Sequence, residues 1–296
     1  MIVQQDLNNV INTTREKIQQ ELTRHLHQLD IPLQLKNSMI YSAEAGGKRL
    51  RPVLLMASFN AYSNDINKVL SSAVALELVH TYSLIHDDLP AMDDDDLRRG
   101  HPTNHIKFDE ATAILAGDGL LTFSFELIAN DPQLTDKQKV QLIQLLSKVS
   151  GPKGMVAGQI RDMEAEKKAV TLEELETIHT LKTGELFRFA IRSGAYLGEA
   201  TQEQIAHLDK FAHYLGLIFQ VQDDILDVTG DAEKIGKPVG SDEANEKNTY
   251  VKLLGIEGAV EKKDYYVGRA KKELSAANAD ASYLMALVDY FSNRDH

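Results

Sequence analysis

The chain has 296 residues, 43% of them hydrophobic, which is enough for a sizeable core and excludes general disorder. Its net charge of −12 argues against nucleic acid as a partner, because a phosphate backbone requires a basic footprint. The chain has no cysteine, which excludes disulfides, thiolate nucleophiles, zinc–cysteine sites and iron–sulfur clusters.

The N-terminal segment does not have the pattern of a signal peptide. Asp6, Arg15, Glu16 and Lys17 interrupt the unbroken apolar region that such a peptide needs. No stretch approaches the roughly 18 apolar residues that we expect of a membrane span. We therefore expect a cytoplasmic protein without a membrane span.

Apolar residues recur at helical spacing along most of the chain. The first amphipathic helix is predicted from Leu7 to Leu29 and ends before Pro32. A second helix is predicted to end at Gly46 and Gly47, where glycine permits a turn. Further helices are predicted over residues 53–62, 67–86, 109–129, 135–149, 155–168, 172–196 and 202–228, with several more from 241 to the end. Few runs alternate with period two, so strands are not required.

The chain shows no internal division. It has no linker rich in proline, glycine or serine, which predicts one domain over residues 1–296. An apolar helix that runs into an aspartate cluster occurs twice. This duplication suits an all-α helical bundle in which two facing helices direct carboxylates into one central cavity.

The first aspartate cluster covers residues 87–96 and follows the predicted helix at 67–86. Asp87 and Asp93 would point apart on a continuous helix. Pro90 disfavours continuation, so we expect Asp87 and Asp88 to close the last turn while the chain bends and returns Asp93 to the same ion. His80 and Ser83 lie on the same helical stripe as Asp87 and are predicted to line a pocket.

The second cluster covers residues 223–227. Asp223 and Asp227 are four residues apart, so a helix places them on one face, a turn apart, with Asp224 beside them. A single acidic cluster is more often a solvated turn than a site. Two clusters that each end an apolar helix make that interpretation much weaker.

Clustered carboxylates repel one another and lose solvation unless a counter-charge lies among them. A hard cation with oxygen ligands supplies it, and Mg²⁺ commonly bridges carboxylates to substrate phosphates. Cationic side chains suited to phosphate lie beside the clusters and the glycine turn: Lys48, Arg51, Arg98, Arg99, Lys182, Lys237 and Lys247. Each alone is most often a surface charge, but their placement favours a site for a metal and a diphosphate.

Several short motifs follow one another along the chain. They are GGKRLRP at 46–52, HDDLPAMD at 86–93, LRRG at 97–100, AGD at 116–118, GQ at 158–159 with Asp162, KTG at 182–184, FQVQDDILD at 219–227 and GK at 236–237. In these motifs the chain resembles the short-chain trans-isoprenyl diphosphate synthases, and closely the bacterial farnesyl diphosphate synthases, over nearly its whole length.

The resemblance implies an all-helical fold around a central cavity, a homodimer, and a role for each matching residue. Three Mg²⁺ ions would bind the diphosphate of an allylic substrate through Asp87, Asp88, Asp93, Asp223 and Asp227. The same diphosphate would be contacted by Arg98, Lys182, Lys237 and Lys247. Isopentenyl diphosphate would be bound by Gly47, Lys48, Arg51, His80 and Arg99.

The implied activity is condensation of isopentenyl diphosphate with dimethylallyl and then geranyl diphosphate to form farnesyl diphosphate. Metals and cations would stabilise the charge that develops on the leaving diphosphate, with Asp87, Asp93, Asp223 and Lys182 as catalytic residues. By the same resemblance, the oxygen dipoles of Thr183 and Gln220 would stabilise the allylic cation. No protein nucleophile is required, and a dry cavity would protect the cation from water.

Tyr82 and Ser83, five and four residues before Asp87, are expected to limit the length of the product. A bulky Tyr82 resembles the bacterial farnesyl pattern, whereas small residues here would indicate a longer product. The alternative is that Tyr82 only packs in the core.

Two positions depart from the family pattern or leave an alternative open. Glu246 stands where a small or polar residue is common, which weakens the assignment of Lys247 to phosphate. Arg294 either helps to close the site or is a solvated terminal charge.

Three other functions are alternatives. A synthase with a longer product, such as geranylgeranyl diphosphate, shares the fold. A terpene cyclase is disfavoured because cyclases usually have a mixed Asn/Ser/Glu second motif. A non-catalytic subunit of a prenyl synthase is disfavoured because the aspartates and the basic residues are all present.

Overall fold

The structure is a computed structural model that describes residues 4–166, 168–230 and 247–294. Helices dominate these residues, so the predicted all-α class is confirmed. The helices are α1 (Gln4–His27), α2 (Leu33–Glu44), α3 (Leu50–Asn60), α4 (Leu70–Asp87), α5 (Asn104–Lys107), α6 (Glu110–Ala129), α7 (Asp136–Ser150), α8 (Met155–Ala165), α9 (Leu172–His179), α10 (Glu185–Leu197), α11 (Gln202–Thr229), α12 (Tyr250–Ala276) and α13 (Ser282–Asn293). A 3₁₀ turn at Ile66–Val69 precedes α4.

Helix α4 lies at the centre of the bundle. It packs against α1, α2, α3, α6, α7 and α10. Its apolar residues face inward on almost every side, and Leu76, Leu78 and Val79 are 0% exposed. Each such side chain contributes about 1.5–3 kcal/mol by leaving water. The C-terminal end of α4, where the first aspartate cluster begins, is therefore carried on a rigid support.

Short polar signals determine where several outer helices begin. Thr135, Thr171 and Thr201 precede α7, α9 and α11, and each hydroxyl accepts a hydrogen bond from the amide three residues later. The Gln or Glu at that third position accepts a hydrogen bond from the amide of the threonine in return. These reciprocal capping boxes satisfy amides that would otherwise lack partners at a helix start.

A small hairpin follows the first aspartate cluster, although the sequence pattern required no strand. Strand β1 (Leu97–Arg98) pairs antiparallel with β2 (His101–Pro102). The turn between them has positive φ at Arg99 (54°) and Gly100 (78°). Two-residue hairpins favour such angles, which match the twist of the strands. These strands are too short for an alternating pattern to reveal them.

The predicted helix at 172–196 is interrupted. Residues Thr180–Gly184 form a π-helical turn between α9 and α10. Such turns are rare and often lie at functional sites. Apolar periodicity continues through the turn, which is why the sequence pattern predicted one unbroken helix.

Two helical segments in the described part of the chain are long and apolar enough to cross a membrane, so the prediction that no stretch is this apolar was wrong. They are Ile66–Asp87 and Glu110–Ala129. The first includes the central helix α4, whose surface other helices enclose. A buried core helix and a membrane span share this composition because both lie away from water.

Candidate active site

The first aspartate cluster folds back on itself as the sequence predicts. Helix α4 ends at Asp87, and the amide of Asp93 donates a hydrogen bond to the carbonyl oxygen of Asp87 over 2.9 Å. The amide of Met92 donates to the carbonyl of Leu89 over 2.8 Å. These bonds close a tight turn around Pro90. The two carboxylates that a straight helix would separate are thereby brought to one end of the bundle.

The carboxylate of Asp87 lies in a desolvated position. Burial raises its pKa to about 6, the neighbouring charge of Asp93 adds to this increase, and the ammonium of Lys182 opposes it. A buried carboxylate beside a second carboxylate is stabilised by additional positive charge. The position of Asp87 therefore favours a bound cation.

Asp88 has a partner within the protein. Nε of Arg98 donates to its carboxylate over 2.7 Å, and Arg98 also lies 3.6 Å from Asp95. Burial raises the pKa of Asp88, while the hydrogen bond from Arg98 works in the opposite direction. The β1–β2 hairpin thus places the first of the two predicted arginines directly on the aspartate cluster.

Lys182 projects from the π-turn and bridges two acidic regions. Its Nζ donates to the carboxylate of Asp162 on α8 over 2.6 Å. Burial alone lowers the pKa of Lys182, but the charges of Asp162 and Asp87 outweigh burial and raise it. Lys182 therefore remains a cation beside the first cluster.

The second cluster has a different role for each aspartate. Asp223 pairs with Arg294, whose guanidinium also lies 4.1 Å from the centre of the Phe219 ring and donates to the Phe219 carbonyl over 3.1 Å. Asp224 is buried and accepts a hydrogen bond from the amide of Tyr250 over 2.7 Å, which ties α11 to the start of α12. The interpretation of Arg294 as a solvated terminal charge was wrong, because its side chain is buried against α11.

Asp227 is buried one turn after Asp223 on α11. Within residues 4–166, 168–230 and 247–294, no three acidic or histidine side chains already form a cluster that could hold a metal. Several of the aspartates instead have basic or amide partners inside the protein.

A group of cations lies beside the glycine turn at residues 46–47. The Arg99 guanidinium donates to the carbonyl of Gly46. A Cβ at Gly47 would stand 2.7 Å from a nitrogen of the same guanidinium. Burial lowers the pKa of Arg51 to about 10, partly offset by Glu77, and Arg99 lowers it further. Within the described residues, Nε of Arg51 is buried without a hydrogen-bond partner. An anionic ligand would reduce the repulsion between these cations and would accept a hydrogen bond from Nε of Arg51, so the region favours an anion.

His80 is held neutral beside these cations. Burial lowers its pKa well below the ordinary value, and the charges of Arg51 and Arg99 lower it further. Lys48 lies half-buried next to the glycine turn. The five residues predicted to bind isopentenyl diphosphate thus fall in the region of the glycine turn and the middle of α4.

A cavity of about 410 Å³ lies beside Asp87. Several predicted site residues line it: Arg51, His80, Tyr82, Ser83, Asp87, Lys182 and Thr183. Tyr82 is only 6% exposed, and its ring packs edge-on against His86 with their centres 5.7 Å apart. The cavity therefore combines charged residues, Arg51, Asp87 and Lys182, with apolar residues such as Ile160 and Met163.

Helix α8 contributes lining residues that the sequence interpretation missed. Val156, Gln159, Ile160 and Met163 line the cavity from one face of this helix. Their spacing of three and four residues is the signal that could have found them. The pattern alone cannot distinguish a cavity wall from a core face.

Some predicted residues do not line the cavity or lie outside the described part of the chain. Gln220 is half-buried on α11, one turn before Asp223, and is not among the residues that line the cavity. Lys247 is half-buried just before α12, and its carbonyl accepts a hydrogen bond from Lys252 over 3.4 Å. Lys237 and Glu246 lie outside the described residues.

The family model described as polyprenyl synthetase matches residues 32–287. The chain belongs to this family. Farnesyl diphosphate synthase of Geobacillus stearothermophilus is 48% identical over the full length of both chains. A chloroplastic geranylgeranyl pyrophosphate synthase of Catharanthus roseus is 45% identical over 90% of this chain and 75% of its own. The resemblance stated from the motifs is thus confirmed.

The chain also resembles solved structures. The crystal structure of an FPP/GFPP synthase from Zymomonas mobilis matches it with a TM-score of 0.86 and 36% identity, covering 98% of this chain and 100% of that one. A similarity of this extent covers the helical bundle that surrounds the cavity. The predicted isoprenoid synthase fold is therefore confirmed.

Proposed function

We propose that this protein is a prenyltransferase that condenses isopentenyl diphosphate with dimethylallyl and then geranyl diphosphate to form farnesyl diphosphate. The observation that carries the proposal is the cavity that Asp87, Lys182 and Tyr82 line together. A diphosphate needs the charged end of such a cavity, and a growing hydrocarbon chain needs the apolar part. The farnesyl diphosphate synthases of similar sequence support the same activity.

The donor set suits Mg²⁺, which takes oxygen ligands and substrate phosphates rather than an all-protein cage. We assign Asp87, Asp88, Asp93, Asp223 and Asp227 as the residues that would hold three such ions. The buried Asp87, with its raised pKa, fits a cation best. Because these carboxylates do not form a preassembled cluster in the described residues, we expect metal and diphosphate to bind together. When bound, Mg²⁺ supplies electrostatic stabilisation of the leaving diphosphate.

Basic residues have the second role at the leaving group. Arg98 and Lys182 are held beside the first cluster by Asp88 and Asp162 and would contact the allylic diphosphate. Lys237 and Lys247 are assigned the same role from their motif positions. Preorganised cations stabilise the negative charge that develops on the diphosphate as the allylic C–O bond breaks.

The positive charge develops on carbon and requires a different environment. We assign the oxygens of Thr183 and Gln220 to its stabilisation, since neutral dipoles lower the energy of a cation without trapping it. The isopentenyl double bond then attacks the allylic carbon, and a proton leaves to the released diphosphate. Apolar lining residues such as Met163 exclude the water that would quench the cation.

Isopentenyl diphosphate is assigned to the cations beside the glycine turn. Gly47, Lys48, Arg51, His80 and Arg99 would surround its diphosphate. Support comes from the mutual repulsion of Arg51 and Arg99 and from the unpartnered Nε of Arg51. An arriving diphosphate relieves both.

Product length is assigned to Tyr82 and Ser83. Both line the cavity, and Tyr82 is buried, so a bulky ring limits the space for a longer chain. This favours farnesyl over geranylgeranyl diphosphate, the product that the names of some relatives contain.

Several assignments concern the whole protein. We propose a single domain, a homodimer and a cytoplasmic location. The dimer is supported by α6, where the apolar side chains of Ile114 and Leu115 are 43% and 59% exposed. A second copy that covers this face would remove these side chains from water.

The proposed activity is tested by incubating the purified protein with isopentenyl and dimethylallyl diphosphates and Mg²⁺, then measuring the length of the products. Farnesyl diphosphate is expected. Asp87→Ala and Asp223→Ala should each lose about 10²-fold or more in rate while helix content stays unchanged. Absence of any condensation product from the wild-type protein would refute the proposal.

A further inference from the structure

The π-turn at Thr180–Gly184 lies between two helices that each present a glycine to it. A Cβ at Gly158 of α8 would stand 2.3 Å from the backbone nitrogen of Lys182 and 2.6 Å from its Cα. A Cβ at Gly216 of α11 would stand 2.9 Å from Cα of Gly184. These neighbours are backbone atoms, so no side-chain rotation relieves the overlap. Only glycine permits both helices to approach the turn this closely.

Both glycines lie within helices that would be more stable with alanine. Glycine is the poorest helix former after proline, because it loses the most backbone freedom on folding. The π-turn is likewise a rare backbone arrangement that persists only where its surroundings hold it. Close contact between the turn and both helices explains both the glycines at these helical positions and the persistence of the π-turn.

Helix α8 contacts Lys182 at two points. Gly158 lies against the backbone of Lys182, and Asp162, four residues further along the same face, accepts the hydrogen bond from its Nζ over 2.6 Å. The next residue, Thr183, lines the cavity. A shift of the turn away from α8 would therefore move two groups of the active site at once.

We propose that Gly158 and Gly216 are positioning residues of this active site. They allow α8 and α11 to hold the π-turn from both sides, and this contact determines where the Lys182 ammonium and the Thr183 hydroxyl lie relative to the allylic diphosphate. The inference rests on the proposed function, because these two groups act on that substrate.

The first test is Gly158→Ala. We expect kcat to fall about 10²-fold, as a displacement of about 1 Å can cause. The KM for isopentenyl diphosphate should change less than about threefold, since Gly158 does not contact the glycine-turn cations that bind it. A loss of folded protein would also lower the apparent kcat at unchanged KM, so kcat is calculated per amount of folded protein. Circular dichroism establishes that the variant is folded.

The second test is a double-mutant cycle with Lys182→Ala. If Gly158 acts through Lys182, adding Gly158→Ala to Lys182→Ala should lower kcat at most about threefold further. The inference would be overturned if the kcat of Gly158→Ala were within about threefold of the wild type. It would also be overturned if the Gly158→Ala loss were undiminished both in the Lys182→Ala background and in the Thr183→Ala background.

Two further variants complete the design. Gly216→Ala introduces a milder overlap from the opposite side and should lower kcat about tenfold. If Gly158→Ala does not fold, Gly216→Ala replaces it, and a kcat within about threefold of the wild type would overturn the inference. Gly268→Ala, in α12, is the matched control, because its Cβ would meet no atom within 4 Å and activity should be unchanged. An inactive wild type contradicts the proposed function, whereas an active wild type with unaffected glycine variants contradicts only this inference.

Discussion

At the scale of single residues, the active site depends on side chains whose surroundings change their chemistry. Asp87 has a pKa near 6 because burial disfavours its charged form, and its neighbours determine how far the shift goes. Arg51 and His80 are shifted in the same physical way, by burial first and then by nearby cations. The sequence identifies these residues by type and spacing. The burial and the neighbouring charges that shift their pKa values come from tertiary packing.

Tyr82→Ala tests the assignment of product length. Removing the ring enlarges the cavity, so part of the product should shift from farnesyl to geranylgeranyl diphosphate. The truncation should also lower the free energy of unfolding by about 3 kcal/mol, as expected for a buried aromatic residue. Products are measured by chromatography after phosphatase treatment. Tyr62→Ala, outside this cavity, is the control, and an unchanged product spectrum for Tyr82→Ala would contradict the assignment.

His179→Phe tests a titration outside the metal site. Burial lowers the pKa of His179 to about 4, and its ring stacks on Tyr250 with their centres 5.6 Å apart. Because the pKa is lower in the folded state than in the unfolded state, this histidine contributes stability above pH 6.5 that is lost as pH falls towards 4. The loss reaches about 3 kcal/mol at most.

The phenylalanine keeps the stacked ring but cannot bind a proton. The variant should therefore lose less stability than the wild type between pH 6.5 and 4, as measured by urea unfolding at a series of pH values. Parallel curves for His179→Phe and the wild type would refute the role of His179.

At the scale of elements, short irregular pieces of backbone direct the functional side chains. The bend at Pro90, the hairpin and the π-turn place the charges of Asp93, Arg98 and Lys182 near Asp87. Only the first of these was predicted, because proline is a strong local signal. The hairpin has two residues in each strand, and the π-turn preserves apolar periodicity, so neither leaves a pattern that local reasoning can detect.

Gly100→Ala tests the contribution of the hairpin turn. Gly100 has a φ of 78°, where an alanine costs about 1–2 kcal/mol of backbone strain. Strain in the turn should also displace Arg98 from Asp88, so the rate should fall about tenfold. Gly268→Ala provides a close control, since a Cβ meets no atom within 4 Å at either position and only Gly100 has positive φ. Equal stability and activity of the two variants would show that the turn conformation is unimportant.

At the scale of the whole molecule, α4, α8 and the π-turn together provide most of the residues that line the cavity. The same organisation explains why two helices resemble membrane spans in composition. Helix α4 is enclosed by its own bundle, whereas α6 keeps exposed apolar residues that the proposed dimer would cover.

Leu115→Glu tests the proposed dimer. Leu115 is 59% exposed on α6, and a carboxylate there would have to be buried between two subunits without a partner. The affinity of the dimer should fall by about 10²-fold or more, which sedimentation across a range of concentrations measures. Ile256→Glu, at a site 43% exposed on α12, should leave association unchanged. A monomeric wild type would contradict the dimer itself.

The sequence by itself determined the helical class, most helix positions, the family and the two aspartate clusters, because periodicity, proline and motif spacing are local properties of the chain. The tertiary structure alone decided which partner each charge has. Arg294 lies 71 residues beyond Asp223 yet pairs with it, and Asp162 on α8 holds Lys182 in the π-turn. Such pairings depend on how distant helices approach one another. That approach is decided by packing across the whole core and by glycines whose role is visible only beside their neighbours.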